Sequence, residues 1–376
     1  MKSKNFLFFL PLVLISLSCR KSNDGPRIIN EEKDVVLVLN PGRNNPRNSE
    51  GDFISLKNGK LLFVYSHFTG NVDHDNSPAY LAGRTSLDSG KTWLNEERII
   101  VPNEGKLNIM SVSLLRLQNG SIALFYLIKN SLEDSRPYLR ISNDEGETWS
   151  APRLCITDRV GYYAMNNNRV IQLRTGRIIL PVSLHKLEGE TTWSYVGRLY
   201  SYYSDDNGVT WQRSEVVPNP KKILTQEPGV IELKNGEVLM IIRTNQRYQY
   251  LSYSRDQGQT WSTIKSSTLM SPVSPASIAR IPSTNDLLVV WNNNNGQNER
   301  TKEYRTPYTL AVSKDEGQTW STFKAIETNE DGVYCYTSIH FIGDHVLLAH
   351  SAGRMSKGTG LSILNVTRLS LGWIYN

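Results

Sequence analysis

Ser142-Asn-Asp144-Glu-Gly146-Glu-Thr148-Trp149 decides how this chain folds, because it does not stand alone. The frame Ser-x-Asp-x-Gly-x-Thr-Trp returns at residues 86–93, 204–211, 254–261 and 313–320, five copies roughly 50 to 60 residues apart. Repetition at that period marks a stack of equivalent supersecondary units, a propeller or a solenoid. Inside each copy Asp and Gly suit a tight turn, and the Ser and Asp side chains can satisfy nearby backbone N–H groups. The Trp packs between units. The octapeptide therefore reads as structural; a ligand or calcium role for its Asp residues is the minor alternative.

A second repeat lies around the first. Apolar hairpins occupy residues 53–65, 113–125, 170–180 and 230–240, turning at Asn58-Gly59, Asn119-Gly120, Gly176 and Asn235-Gly236. Two more, 277–291 and 338–349, turn near Asn285-Asp286 and Gly343-Asp344. Asn-Gly supplies the two positive-φ residues that a two-residue hairpin needs. Both faces of these strands are largely apolar, as inner strands require. Six hairpins, five of them followed by an octapeptide, predict an all-β fold: a six-bladed β-propeller of four-stranded antiparallel blades. The strand at 35–39 is expected to pair into the last blade, closing the ring and protecting its edges.

The 376 residues are 39% hydrophobic and 21% charged, ordinary globular composition with ample core. At the N-terminus Lys2 and Lys4 precede an apolar run at 6–17, then Ser18 and Cys19. The run is too short to span a bilayer as a mature helix and reads as an export signal. Cys19 after it resembles the lipobox of bacterial lipoproteins, whose thiol is acylated after cleavage, although Ser16 stands where that motif usually has Leu. Plain secretion is the alternative. The expected organisation is a signal at 1–18, a polar tether at 19–34 after lipidated Cys19, and a propeller at 35–376. Membrane contact is then through the lipid alone.

Net charge is +6, and +4 without Lys2 and Lys4. No dense Lys/Arg stripe appears, so nucleic acid is excluded as a partner; a mild positive excess focused in a cleft suits an anionic substrate. Cys155 and Cys335 are expected as buried thiols. The six histidines lack metal-ligand spacing. The expectation is a monomer that needs neither metal nor cofactor.

In such a blade the residues just before and just after each hairpin gather at one mouth, where loops carry function over a rigid scaffold. Those positions hold Arg47, Glu50, Asp52, Asp73, His74 and Asp75 in the first unit, and Asn166 to Asn168, Arg169 and His185 in the third. The fourth supplies Gln226, Glu227 and Arg243, the fifth Arg300 and Arg305, the sixth Tyr334 and Tyr336.

On these residues the chain resembles the bacterial exo-α-sialidases, the Asp-box family with a six-bladed propeller. That family's general acid lies eleven residues before the first octapeptide Ser, as Asp75 lies before Ser86. Its Glu opens the fourth hairpin and an Arg ends it sixteen residues later, like Glu227 and Arg243; a further Arg eight residues before the last octapeptide matches Arg305. Its nucleophilic Tyr opens the last hairpin, as Tyr336 does before Thr-Ser-Ile, with Tyr334 as the fallback. One position departs: the family's first Arg, twenty-five residues before the acid, is here Glu50, and His350 stands where that Arg usually has a supporting Glu. Either Arg47 or Arg169 supplies the missing cation, or the substrate is not a standard sialoside.

The resemblance implies a retaining glycoside hydrolase acting on a glycan. Tyr336 is implied as nucleophile, Glu227 as its base and Asp75 as acid, with Arg243 and Arg305 on the substrate carboxylate. Arg169, Arg47, Glu50, Asn168 and His74 are the further candidates for substrate contact. A glycosidase or lyase on a uronate-containing polysaccharide and a glycan-binding propeller without catalysis are the alternatives.

Overall fold

The structure, a computed structural model, describes residues 30–376. The expected signal, lipidated Cys19 and most of the tether lie outside the described residues. The first strand, β1 (Lys33–Leu39), begins two residues ahead of the expected 35. A four-stranded sheet follows from β2 (Asn48–Ser55), β3 (Leu61–Phe68), β4 (Ala79–Ser86) and β5 (Arg98–Val101).

Nine strands then form one continuous sheet. They are β6 (Asn108–Arg116), β7 (Ile122–Lys129), β8 (Ser135–Ser142), β9 (Arg153–Leu154), β10 (Gly161–Ala164), β11 (Ile171–Gln172), β12 (Ile178–Leu187), β13 (Arg198–Ser204) and β14 (Gln212–Arg213). Here β10 lies between β8 and β12 and stitches two antiparallel groups together.

The fourth unit is β15 (Thr225–Glu232), β16 (Val238–Thr244), β17 (Tyr248–Ser254) and β18 (Lys265–Met270). The fifth is β19 (Ser277–Arg280), β20 (Leu287–Asn292), β21 (Tyr308–Ser313) and β22 (Ser321–Glu327). A small pair, β23 (Gly332–Val333) with β26 (Gly353–Arg354), flanks the last sheet of β24 (Ser338–Ile342), β25 (His345–Ser351) and β27 (Leu364–Ser370). That sheet takes β1 as its fourth strand, Lys33 opposite Leu369 and Leu39 opposite Leu364. A short helix, α1 (Leu371–Tyr375), ends the chain.

The architecture is an all-β propeller. Neighbouring sheets meet through inner strands, β2 against β6 and β24, β15 against β12 and β19, and β19 against β24. The apolar core is divided among the gaps between neighbouring sheets: Leu62, Val64, Ile122 and Leu124 fill one, Phe63, Tyr65, Leu347 and Val366 another.

All five octapeptides form the same turn. Each Ser Oγ accepts the Gly N–H and donates to Asp Oδ1, which also accepts the Thr N–H, all at 2.7–2.9 Å. The glycines run at φ +79° to +87°, a region costly for other residues. At two of them a Cβ would also press on a neighbouring strand, 2.6 Å from Leu347 at Gly90 and 2.2 Å from Leu139 at Gly208. The motif is thus both a turn and a spacer between sheets.

Candidate active site

Five first-strand segments share an uncommon backbone state. Glu50, Ser111, Asn168, Glu227 and Tyr336 are non-glycine residues at φ between +47° and +66°. Three of them sit at register shifts, between Ser49 and Asp52, Met110 and Ser113, and Gln226 and Gly229. A bulge of this kind re-aims a side chain out of the strand's alternation, and such strain, roughly 1 to 3 kcal/mol each, collects at functional sites.

Four of the five, Glu50, Ser111, Glu227 and Tyr336, line one cavity of about 160 Å³. Asp75 joins them from the β3–β4 connection, Lys129 and His185 from the ends of β7 and β12, and Tyr162 and Trp193 from β10 and the β12–β13 connection. The first sheet's carboxyl and the last sheet's phenol therefore share a wall. Tyr334 does not: it is buried against Tyr308 and accepts from Asn329 Nδ2 at 3.2 Å.

Two clusters of charge meet here. In the first, buried Arg47 bridges two carboxylates: Nη1 donates to Asp75 Oδ1 at 2.5 Å and Nη2 to Glu50 Oε1 at 3.4 Å. Burial pushes Glu50 up, outweighing the pull of Arg47 and of the Ser111 hydroxyl, which donates to Glu50 Oε2. For Asp75 the balance is opposite: desolvation raises its pKa, but Arg47 and Lys129 hold it below the usual carboxylate value. Two carboxyls on one guanidinium thus settle with Asp75 ionised and Glu50 tending to keep its proton.

In the second cluster Arg243 Nη1 donates to Glu227 Oε2 at 2.5 Å. Burial opposes ionisation of Glu227, yet Arg243, Arg305 and Arg169 together keep its pKa low. Desolvation and the Glu227 charge raise the Tyr336 phenol. Arg305 lies 5.3 Å from the Tyr336 ring centroid and spends one N–H on Cys335 Sγ at 2.8 Å. Cys155 and Cys335 are both free and buried. Arg169, 2% exposed, reaches Ser277 Oγ at 3.2 Å, while its Nε and Nη2 find no protein partner. Burial lowers its pKa to about 10.

Of the expected contacts, Arg47, Arg169, Arg243 and Arg305 make the bonds described above and are not among the residues that line the cavity, and two more are corrected. Asn168 does not line the cavity: its amide donates to Asp52 Oδ1 at 2.9 Å and accepts Ile339 N–H at 3.1 Å, tying three sheets together. Its neighbour Asn166 faces the cavity instead. His74 is exposed beside Asp75, where its Nδ1 accepts the Asn76 N–H at 3.2 Å, and does not line the cavity. Lys129, Ser111, Tyr162 and Trp193 were not foreseen. Lys129 alone left a trace in sequence, a lysine ending the apolar strand Ile-Ala-Leu-Phe-Tyr-Leu-Ile. Among the described residues no group of three or more His, Cys, Asp or Glu is placed to hold a metal ion.

Residues 88–347, more than half of the chain, match the BNR repeat-like domain family. The chain belongs to the BNR-repeat propellers of the bacterial sialidases. A sialidase of Micromonospora viridifaciens is 26% identical over 353 residues, 84% of this chain and 50% of its own. One from Paraclostridium sordellii is 28% identical over 236 residues, 55% of each. The chain thus spans about half the length of these two relatives. A leech intramolecular trans-sialidase superposes with a TM-score of 0.71 over 92% of this chain and 71% of its own at 12% identity, which carries the fold alone.

Proposed function

We propose that this protein is a retaining exo-glycosidase of the sialidase type, removing a terminal acidic sugar from a glycan. The observation that carries this reading is the shared cavity of Asp75, Glu227 and Tyr336 beside buried arginines. Arg47, Arg169, Arg243, Arg305 and Lys129 face Glu50, Asp75 and Glu227, an excess of cations that favours an anionic ligand. The same reading counts the nine-stranded sheet as two blades joined by β10, giving six blades; the division of the core into six inter-sheet clusters supports it.

In this mechanism Arg243 and Arg305 hold the substrate carboxylate. A sugar bearing a carboxylate on its anomeric carbon repels an anionic nucleophile, so a neutral phenol suits it. Tyr336 attacks C2, Glu227 takes the phenol proton, and the C2–O bond to the leaving group breaks as Asp75 protonates that oxygen. Water, deprotonated by Asp75, then attacks C2 of the aryl ketoside formed with Tyr336; the C2–O bond to the phenol breaks as Glu227 returns the proton to the phenoxide, and the sugar leaves with overall retention. Asp75 is ionised at rest on Arg47. A bound anion draws on Arg47 and raises Asp75 by like charge, so binding itself loads the acid.

Glu50 and the polar segment Asn166 to Arg169 favour one variant of this reading, a uronate in place of a sialic acid. A panel of aryl α-sialosides and aryl uronides tests both. Turnover of the sialoside with retained configuration supports the sialidase reading, turnover of uronides alone supports the variant, and silence on the whole panel refutes both.

A further inference from the structure

Trp193 takes no part in the chemistry proposed above, yet its position is tightly determined. It is 38% exposed and lines the cavity. One face stacks on His185, with centroids 5.0 Å apart and planes within 1°, and Tyr162 meets it edge-on at 4.6 Å. His185 is itself pinned, Nε2 3.0 Å from Ser183 Oγ and Nδ1 2.8 Å from the Ser194 carbonyl oxygen. An indole held this way presents its open surface without losing further side-chain freedom when a ligand arrives.

The wall runs unbroken from the acid to this indole. Lys129 Nζ donates to the Asp75 carbonyl oxygen at 3.2 Å and lies 5.5 Å from the Tyr162 ring centroid, and Tyr162 touches Trp193. An acid must reach the glycosidic oxygen, so Asp75 marks the side on which the leaving group departs. Arg243 and Arg305 claim the anionic part of the ligand. What the wall offers past Lys129 is aromatic surface, the rings of Tyr162 and Trp193.

We infer that Trp193 is a leaving-group platform: the uncharged pyranoside beyond the scissile bond lays its C–H face on the indole. This rests on the glycosidase reading and adds to it a residue that selects what the acidic sugar is attached to.

The test compares two substrates carrying the same acidic sugar, one a methyl glycoside and one linked to a neutral disaccharide. Trp193→Ala is expected to lose about tenfold in kcat/KM on the disaccharide-linked substrate, mostly through KM, and less than about twofold on the methyl glycoside. Trp193→Phe should recover most of the loss, with melting temperatures of both variants near wild type. The free neutral disaccharide should inhibit wild type more strongly than Trp193→Ala. Equal losses on both substrates, or none on either, overturn the platform and leave the glycosidase reading intact. A wild-type protein that cleaves neither overturns both.

Discussion

Tyr336 is where the chemistry stands or falls at the scale of single residues. Phenylalanine there keeps the buried ring and removes the attacking oxygen. Turnover should drop by at least about a hundredfold while thermal unfolding changes little; a fully active Tyr336→Phe protein rules out the phenol as nucleophile. Buried carboxyls give a second prediction. Asp52 accepts N–H groups of Phe53, Leu114 and Asn168, yet burial dominates and raises its pKa from 3.8 to about 7. A carboxyl that holds its proton more tightly folded than unfolded stabilises the fold at low pH and loses that contribution as pH rises through the folded pKa. The stability advantage of wild type over Asp52→Asn, read from denaturant midpoints, should shrink between about pH 4 and pH 7. An advantage that grows over that range contradicts the assignment. That Asp75, Glu227 and Tyr336 meet in one cavity was legible through the family resemblance, in which each stands at a set place relative to a repeated turn or hairpin. Asn168 was misread because a polar residue near a mouth looks like a ligand contact, whereas tertiary packing turned its amide onto Asp52 and Ile339. Nothing local in sequence shows which way a left-handed bulge aims a side chain.

At the scale of the element, the octapeptide turn carries stability and no chemistry. Asp144 accepts the Thr148 N–H and the hydroxyls of Ser142 and Thr148. Asp144→Ala should lower the denaturant midpoint of unfolding with KM unchanged. A changed KM with unchanged stability would give the motif a role in the site after all. The hairpins were readable from their Asn-Gly turns and apolar strands, and the turns fall where expected. The strand β10 was not, because four residues of Gly-Tyr-Tyr-Ala carry no alternation long enough to announce a strand. Its pairing with β8 and β12 is set by the approach of two sheets, a tertiary event, and it delivers Tyr162 to the cavity.

For the whole molecule, closure is the governing feature. A ring of sheets protects its edges only if the last sheet is complete, and β1 completes it. Deleting residues 30–39 should expose β27 and lower the melting temperature by several degrees, with loss of a single sharp transition in calorimetry. An unchanged melting profile would mean the ring does not depend on this strand. The closure also fixes a direction. Lys33 lies opposite Leu369, beside the Gly343-Asp344 turn, whereas the strands present Glu50, Glu227 and Tyr336 at their other ends. The first described residues, 30–33, therefore lie on the side of the last sheet opposite the mouth. A copy fastened to a bead by that end holds its mouth away from the support, open to whatever arrives from solution.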